Sequence, residues 1–183
     1  MHVITGLAKG KKITTIEGTE VVRPTPERVK EGIFSAIQFE IEGRTFLDLF
    51  AGSGQLGIEA LSRGAEFAVF SDENPEAIKH ITKNVESTGF LEKSKIIKGD
   101  YLYALSLLNT KFDFIFLDPP YSSGLLIKSL ENIFPYLKDT GTVLCEHPFN
   151  QEMPQKIAGL VFKKMYKYGK VCVTTYNKEG VEN

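Results

Sequence analysis

Thr45-Phe46-Leu47-Asp48-Leu49-Phe50-Ala51-Gly52-Ser53-Gly54-Gln55-Leu56-Gly57 is the stretch on which the fold turns. A short apolar run reaches an acid, passes two glycines one residue apart, and opens QLGIEALSRG, which has helical periodicity. Strand, tight turn and helix in that order form the opening unit of a parallel α/β sheet. Neither Gly52 nor Gly54 carries a Cβ, so the backbone of the turn can approach a ligand closely. GSGQLG also fits the pattern G-x-G-x-x-G, so a dinucleotide cofactor is the first reading to weigh.

Downstream, short apolar runs alternate with longer amphipathic ones. Strands are predicted at TFLDLF, FAVFSD, KIIKGD, FDFIFLD and TVLCEH, and helices at QLGIEALSRG, NPEAIKHITKNVESTG, YLYALSLLN and SGLLIKSLENIFPYLK. In the second of these helices Ala77, Ile78, Ile81 and Val85 share one face. Asn74 is placed to cap it, Pro75 fits its first turn and Gly89 its end. Past Pro154, GLVFKKMYKYG and KVCVTTYNK read as an antiparallel pair, because their connection is too short for a crossover helix. The main sheet then has seven strands. Upstream, residues 1–24 read as a small hairpin with short strands at ITG, KKITTI and EVVR, and residues 26–39 as an amphipathic helix on Val29, Ile33, Phe34 and Ile37. The expected organisation is one domain over 1–183, with a hairpin and helix extension at 1–43 and a Rossmann-like core at 44–183.

The chain has 183 residues, 42% hydrophobic and 25% charged, with a net charge of -1. That is enough for one substantial core and excludes a strongly basic protein. No run approaches the roughly 18 apolar residues of a membrane span, and MHVITGLAKGKK lacks the apolar core of a signal peptide, so a cytoplasmic location is expected. Cys145 and Cys172 sit in apolar strands without CxxC spacing, and His2, His80 and His147 are scattered. Buried free thiols and no metal site are the expectation. Between Gln155 and Lys178 stand six lysines and no acid. Such a run is usually a solvated face, and it is also able to meet phosphates.

Three acids close three successive predicted strands. Asp72 follows Gly54 by 18 residues, where a carboxylate accepts hydrogen bonds from ribose hydroxyls. Asp48, just before the turn, would repel a pyrophosphate but attract a cationic amino group. Asp100 can accept from an adenine amine, with Tyr101 or Leu102 beside the ring. Three carboxylates suit a cofactor with a sulfonium and an ammonium, S-adenosyl-L-methionine, better than a dianionic one. Asp48, Phe50, Gly52, Ser53, Gly54, Asp72, Asp100 and Tyr101 are the candidate cofactor residues.

Asp118-Pro119-Pro120-Tyr121 ends the run FDFIFL. An exocyclic amine on a base is a poor nucleophile, because its lone pair is delocalised into the ring. The Asp118 carboxylate and the Pro119 carbonyl can accept both amine hydrogens and aim the lone pair at a methyl group. Two prolines stiffen the turn, and the Tyr121 ring offers a stacking face. The reading is methyl transfer to an amino group, with Asp118, Pro119, Pro120 and Tyr121 as the catalytic segment. A base must be single-stranded or flipped out to reach such a site. Lys9, Lys11, Lys12, Arg23, Arg28 and Lys30 are the upstream candidates for its phosphates.

With these segments and RPTPERVKEGIFS (residues 23–35), the chain resembles the bacterial 16S ribosomal RNA guanine 2-amino methyltransferases, the small-subunit methyltransferase D family. The likeness runs through ITGLAKGKK, DLFAGSGQLGIEALSRGA, LDPPY, CEHP and KYGK. It implies a class I methyltransferase fold, S-adenosyl-L-methionine as donor, and a guanine of 16S rRNA in a small ribosomal subunit or assembly particle as substrate; a monomer is the expected state. It also implies that Arg23, Pro24, Thr25 and Arg28 lie beside the substrate entrance. Two positions depart from the family: Asp72 stands where Glu is common, and Lys170-Val171 follow Tyr168-Gly169 where an acid and Thr are usual. The alternatives are DNA adenine amino methylation, protein glutamine methylation, a non-catalytic RNA-binding assembly factor, and a nicotinamide oxidoreductase that rests on G-x-G-x-x-G alone.

Overall fold

The computed structural model describes residues 1–15 and 26–180. Along the chain the elements are α1 (Glu27–Ile37), β1 (Thr45–Asp48), α2 (Gln55–Ser62), β2 (Phe67–Asp72), α3 (Pro75–Thr88), β3 (Ser94–Lys98), α4 (Tyr101–Ser106), β4 (Phe112–Leu117), α5 (Leu125–Asn132), β5 (Leu137–Pro148), β6 (Lys156–Ile157), β7 (Leu160–Tyr168) and β8 (Val171–Lys178). The strands form one sheet in the order β3-β2-β1-β4-β5-β8-β7-β6. The first five are parallel, and β8, β7 and β6 follow antiparallel.

The central strands are apolar on both sides, as a sheet covered on both faces requires. Phe46, Ala68, Phe70, Phe114 and Phe116 pack toward α1, α2 and α3. Their neighbours Leu47, Val69, Ile115 and Leu117 point the other way, toward α4 and α5. The predicted capping of α3 is present: the Asn74 side chain accepts the Glu76 N–H at 2.9 Å, and Gly89 closes the helix in a left-handed conformation.

Three differences from the sequence expectation have local causes. Among the described residues the sheet has eight strands, not seven; the extra one is β6, whose two residues pair with Val161 and Leu160 and are too few to carry a period. Helix α5 stops at Asn132 instead of running to Lys138. Pro135 interrupts it, and a 3₁₀ turn at Phe134–Tyr136 leads into a longer β5. Among the described residues the N-terminal hairpin shows one bridge, His2 to Lys12, and its EVVR segment lies outside them.

Residues 1–15 are held to three helices. Ile4 and Thr5 N–H donate to Glu59 of α2 at 2.8 and 3.0 Å, and the Ala8 N–H donates to Ser62 Oγ at 2.9 Å. Lys30 of α1, fully buried, donates to the His2 carbonyl at 2.8 Å and stands 3.6 Å from Glu59. Burial lowers the Lys30 pKa, and the Glu59 charge opposes that shift. Among the described residues no helix is long and apolar enough to cross a membrane.

Strand β1 pairs with β2 on one side and with β4 on the other, so connections leave it in opposite directions. A doubly wound sheet opens a crevice at that point, beyond the carboxyl ends of its strands.

Candidate active site

Five acids mark the carboxyl ends of five adjacent strands: Asp100 after β3, Asp72 on β2, Asp48 on β1, Asp118 after β4 and Glu146 on β5. The glycine turn is stitched across the middle of this row. Leu49 N–H donates to Phe116 O of β4 at 3.2 Å, and Ala51 N–H donates to Ser71 O of β2 at 2.8 Å. Gly54, at φ 75°, turns the chain into α2, a conformation that a Cβ would strain. Further along, a Cβ on Gly57 would stand 2.2 Å from Phe70 Cε1, so this glycine lets α2 lie directly on β2.

Asp72 supports the turn from the side. Its Oδ2 accepts the Gly52 N–H at 2.8 Å and its Oδ1 the Asn74 N–H at 2.9 Å. Burial raises its pKa against the pull of those two donors. Asn84 of α3 donates to the Ser53 carbonyl at 2.8 Å. Asp48 is buried beneath the turn, 3.4 Å from the Gly57 N–H. Burial pushes its pKa up to about 7, and the nearby Asp72 adds to the rise. A cation placed beside it would oppose that rise. Asp100 caps α4, its Oδ1 accepting from Leu102 and Tyr103 N–H at 2.9 and 3.0 Å. The rings of Phe50 and Tyr101 are 6.0 Å apart, which joins this third strand end to the turn. Asp48, Phe50, Gly52, Ser53, Gly54, Asp72, Asp100 and Tyr101 therefore lie together along three strand ends.

Across the crevice, Asp118 is half-buried, Pro119 buried and Pro120 exposed. The Pro120 carbonyl accepts from Ser123 N–H at 3.0 Å and Oγ at 2.6 Å, closing a short 3₁₀ turn. The Tyr121 side chain lies at the mouth, its hydroxyl donating to Glu146 Oε1 at 3.1 Å. Burial raises the Tyr121 pKa far above its usual value, with the Glu146 and Asp118 charges adding, so the hydroxyl stays a proton donor. Glu146 is the residue that sequence reasoning missed. It closes TVLC as Asp72 closes FAVFS, and the same acid-after-apolar-run signal would have found it. Next to it, His147 is buried between Thr174 Oγ1 at 2.8 Å and the Pro148 carbonyl at 2.9 Å, and burial lowers its pKa.

The candidate phosphate contacts are dispersed. Arg23, Pro24 and Thr25 lie outside the described residues. Arg28 is exposed on α1, and Lys9 is exposed in the N-terminal segment. Lys11 donates to the Ser87 and Thr88 carbonyls at the end of α3, both at 3.1 Å. Lys12 lines a cleft of about 450 Å³ with His80 and Lys83. Lys30, fully buried, is not available to a phosphate. A second cleft, about 340 Å³ around Arg44 and Asp113, lies at the opposite ends of β1 and β4, where a doubly wound sheet does not bind its ligand. Among the described residues no cluster of three or more His, Cys, Asp or Glu is arranged to hold a metal ion.

Residues 1–177 match the family model described as "Conserved hypothetical protein 95". The chain is 38% identical over 185 residues to the "Putative rRNA methyltransferase YlbH" of Bacillus subtilis (strain 168), covering 98% of this chain and 100% of that one. It is 27% identical over 179 residues to the ribosomal RNA small subunit methyltransferase D of Escherichia coli (strain K12), covering 91% and 89%. A solved structure described as "Putative methyltransferase yhhF from Escherichia coli" matches with a TM-score of 0.86 at 27% identity, over 99% of both chains. The fold is accordingly the class I methyltransferase fold expected from the sequence.

Proposed function

The chain belongs to the conserved hypothetical protein 95 family, and on that footing we propose that it transfers a methyl group from S-adenosyl-L-methionine to the 2-amino group of a guanine in 16S rRNA. The observation that carries the reading is the meeting of two segments at one switch point. The glycine turn after β1 and Asp118–Tyr121 after β4 face each other across the crevice, tied by the Leu49 to Phe116 hydrogen bond of 3.2 Å. Support for an RNA substrate comes from relatives named as rRNA methyltransferases.

The residues at β1, β2 and β3 fit the proposed donor. Buried Asp48 suits its ammonium, the exposed edge of Asp72 its ribose hydroxyls, and Asp100 with Tyr101 its adenine. When bound, S-adenosyl-L-methionine supplies a methyl group on a sulfonium, which passes to the amine nitrogen as the carbon–sulfur bond breaks. Asp118 and the Pro119 carbonyl accept the amine hydrogens, favour a pyramidal nitrogen and direct its lone pair. Tyr121 stacks on the base, and Glu146 fixes the ring by holding its hydroxyl. No strong base is needed, because the amine becomes acidic only once it is methylated.

The test is transfer of labelled methyl groups to 30S particles rebuilt on unmodified 16S rRNA, to naked 16S rRNA, to DNA and to protein in parallel, followed by nucleoside analysis. Label in N2-methylguanosine from the RNA samples supports the reading, and label in N6-methyladenine would replace it. Asp118→Ala should bind S-adenosyl-L-methionine with near-normal affinity and lose at least about a hundredfold in transfer rate. Wild-type rates in that variant would remove Asp118 from the mechanism.

A further inference from the structure

The six lysines between Gln155 and Lys178 fall into two groups. Lys156 pairs with Glu179, and Lys178 pairs with Asp139 at 2.9 Å. Lys163, Lys164, Lys167 and Lys170 are exposed on β7 and its turn into β8, and they have no ion pair among the described residues. Two of the four lie over aromatic rings: Lys164 Nζ is 4.7 Å from the Tyr166 centroid, and Lys167 Nζ is 5.3 Å from that of Phe149.

Phe149 ties this group to the crevice. It follows Pro148 at the end of β5, and its N–H donates to the Lys170 carbonyl at 3.0 Å. Phe149 stays 53% exposed even with Lys167 beside its ring. Cys172 pairs in register with His147 on one side and Lys167 on the other, and it is near enough to both Tyr121 and Lys167 for electrostatic interaction. Two half-exposed rings, Tyr121 and Phe149, thus stand at the ends of the adjacent strands β4 and β5, with uncompensated cations on the outer side.

We infer that Phe149, Lys167 and Lys170 form a docking rim for single-stranded RNA, where the base of a nucleotide flanking the target stacks on Phe149 and its phosphates lie against the two lysines. This rests on the function proposed above. An aromatic face with cations beside it is the combination that single-stranded nucleic acid requires, stacking for the base and charge for the backbone. An acidic peptide would need the lysines and have no use for the ring. The arrangement also explains why a chain of net charge -1 can hold RNA: the cations are concentrated at the rim of the site.

The test uses the full chain with Phe149→Ala, Phe149→Tyr and Lys167→Ala, measuring methyl transfer to 30S particles rebuilt on unmodified 16S rRNA, with S-adenosyl-L-methionine affinity as the fold control. Phe149→Ala should raise KM roughly fivefold or more with little change in kcat, and Phe149→Tyr should restore the wild-type value. Lys167→Ala should reduce the slope of log KM against log salt by about 0.7, the loss of one phosphate contact on a single strand. Wild-type KM and salt slope in all three variants, with the wild type active, would overturn the rim and leave the proposed function standing. Competition by polyglutamate but not by polyuridine would overturn it as well. A wild type that methylates no RNA would remove both.

Discussion

Asp48 is the residue whose protonation state bears most on stability and on cofactor binding. Its folded pKa of about 7 lies above the usual 3.8 because burial penalises the charge. The folded state therefore holds this proton more tightly than the unfolded chain does. The sign follows: the carboxyl costs nothing below about pH 4, and the cost grows as pH rises through the folded value of about 7. A bound cation reverses the preference, so cofactor affinity should climb from pH 5 to pH 7 and level off above, with proton release on binding below pH 7. Asp48→Asn should flatten that profile and weaken binding at pH 8 while stabilising the free protein there by on the order of 1–3 kcal/mol. Calorimetry in buffers of different ionisation enthalpy, with thermal melts alongside, reads both; an unchanged pH profile in Asp48→Asn would remove Asp48 from cofactor binding. Asp48, Asp72, Asp100 and Asp118 were legible as site candidates because each closes an apolar run. The partnership of Tyr121 with Glu146 was not, since 25 residues separate them and only the adjacency of β4 and β5 brings them together.

At the scale of elements, the parallel core and the antiparallel pair were readable because their periods are long enough to be unambiguous. What could not be read was the use made of charged residues in helices. Glu59 lies within QLGIEALSRG and Lys30 within ERVKEGIFSAI, where each would be taken for a solvent-facing charge, yet both are fully buried. They meet only because α1 and α2 share a face of the sheet and residues 1–15 lie over both. Gly6 makes that docking close: a Cβ there would stand 1.7 Å from the Ser62 carbonyl oxygen, at a φ of 87°. Gly6→Ala should therefore lift the segment from α2 and destabilise the protein by about 2 kcal/mol or more. Loss of hydrogen-exchange protection should be concentrated at Ile4, Thr5 and Ala8, whose N–H groups are bonded to α2. Wild-type protection at those amides would show that the segment tolerates the change.

For the whole molecule, net charge was a poor guide to function because the two signs are separated in space. Acids line the strand ends at the crevice, and lysines with no ion pair among the described residues gather on the hairpin beside it. The N-terminal segment has a further consequence, which concerns the order of events during synthesis. Residues 1–15 leave the ribosome long before their partners on α2 and α3: Glu59 and Ser62 come more than 50 residues later, and Ser87 and Thr88, which receive Lys11, come 76 and 77 residues later than Lys11. At translation rates of roughly 5–20 residues per second the segment waits several seconds before α2 and α3 are there to bind it. Chains stalled with α2 still inside the exit tunnel should be cut readily by protease within residues 1–15, and chains stalled with α3 fully emerged should resist. Equal sensitivity at both lengths would mean that the segment settles only on the finished sheet. A segment made before α2 and α3 is thus a latch that closes behind the helices it holds.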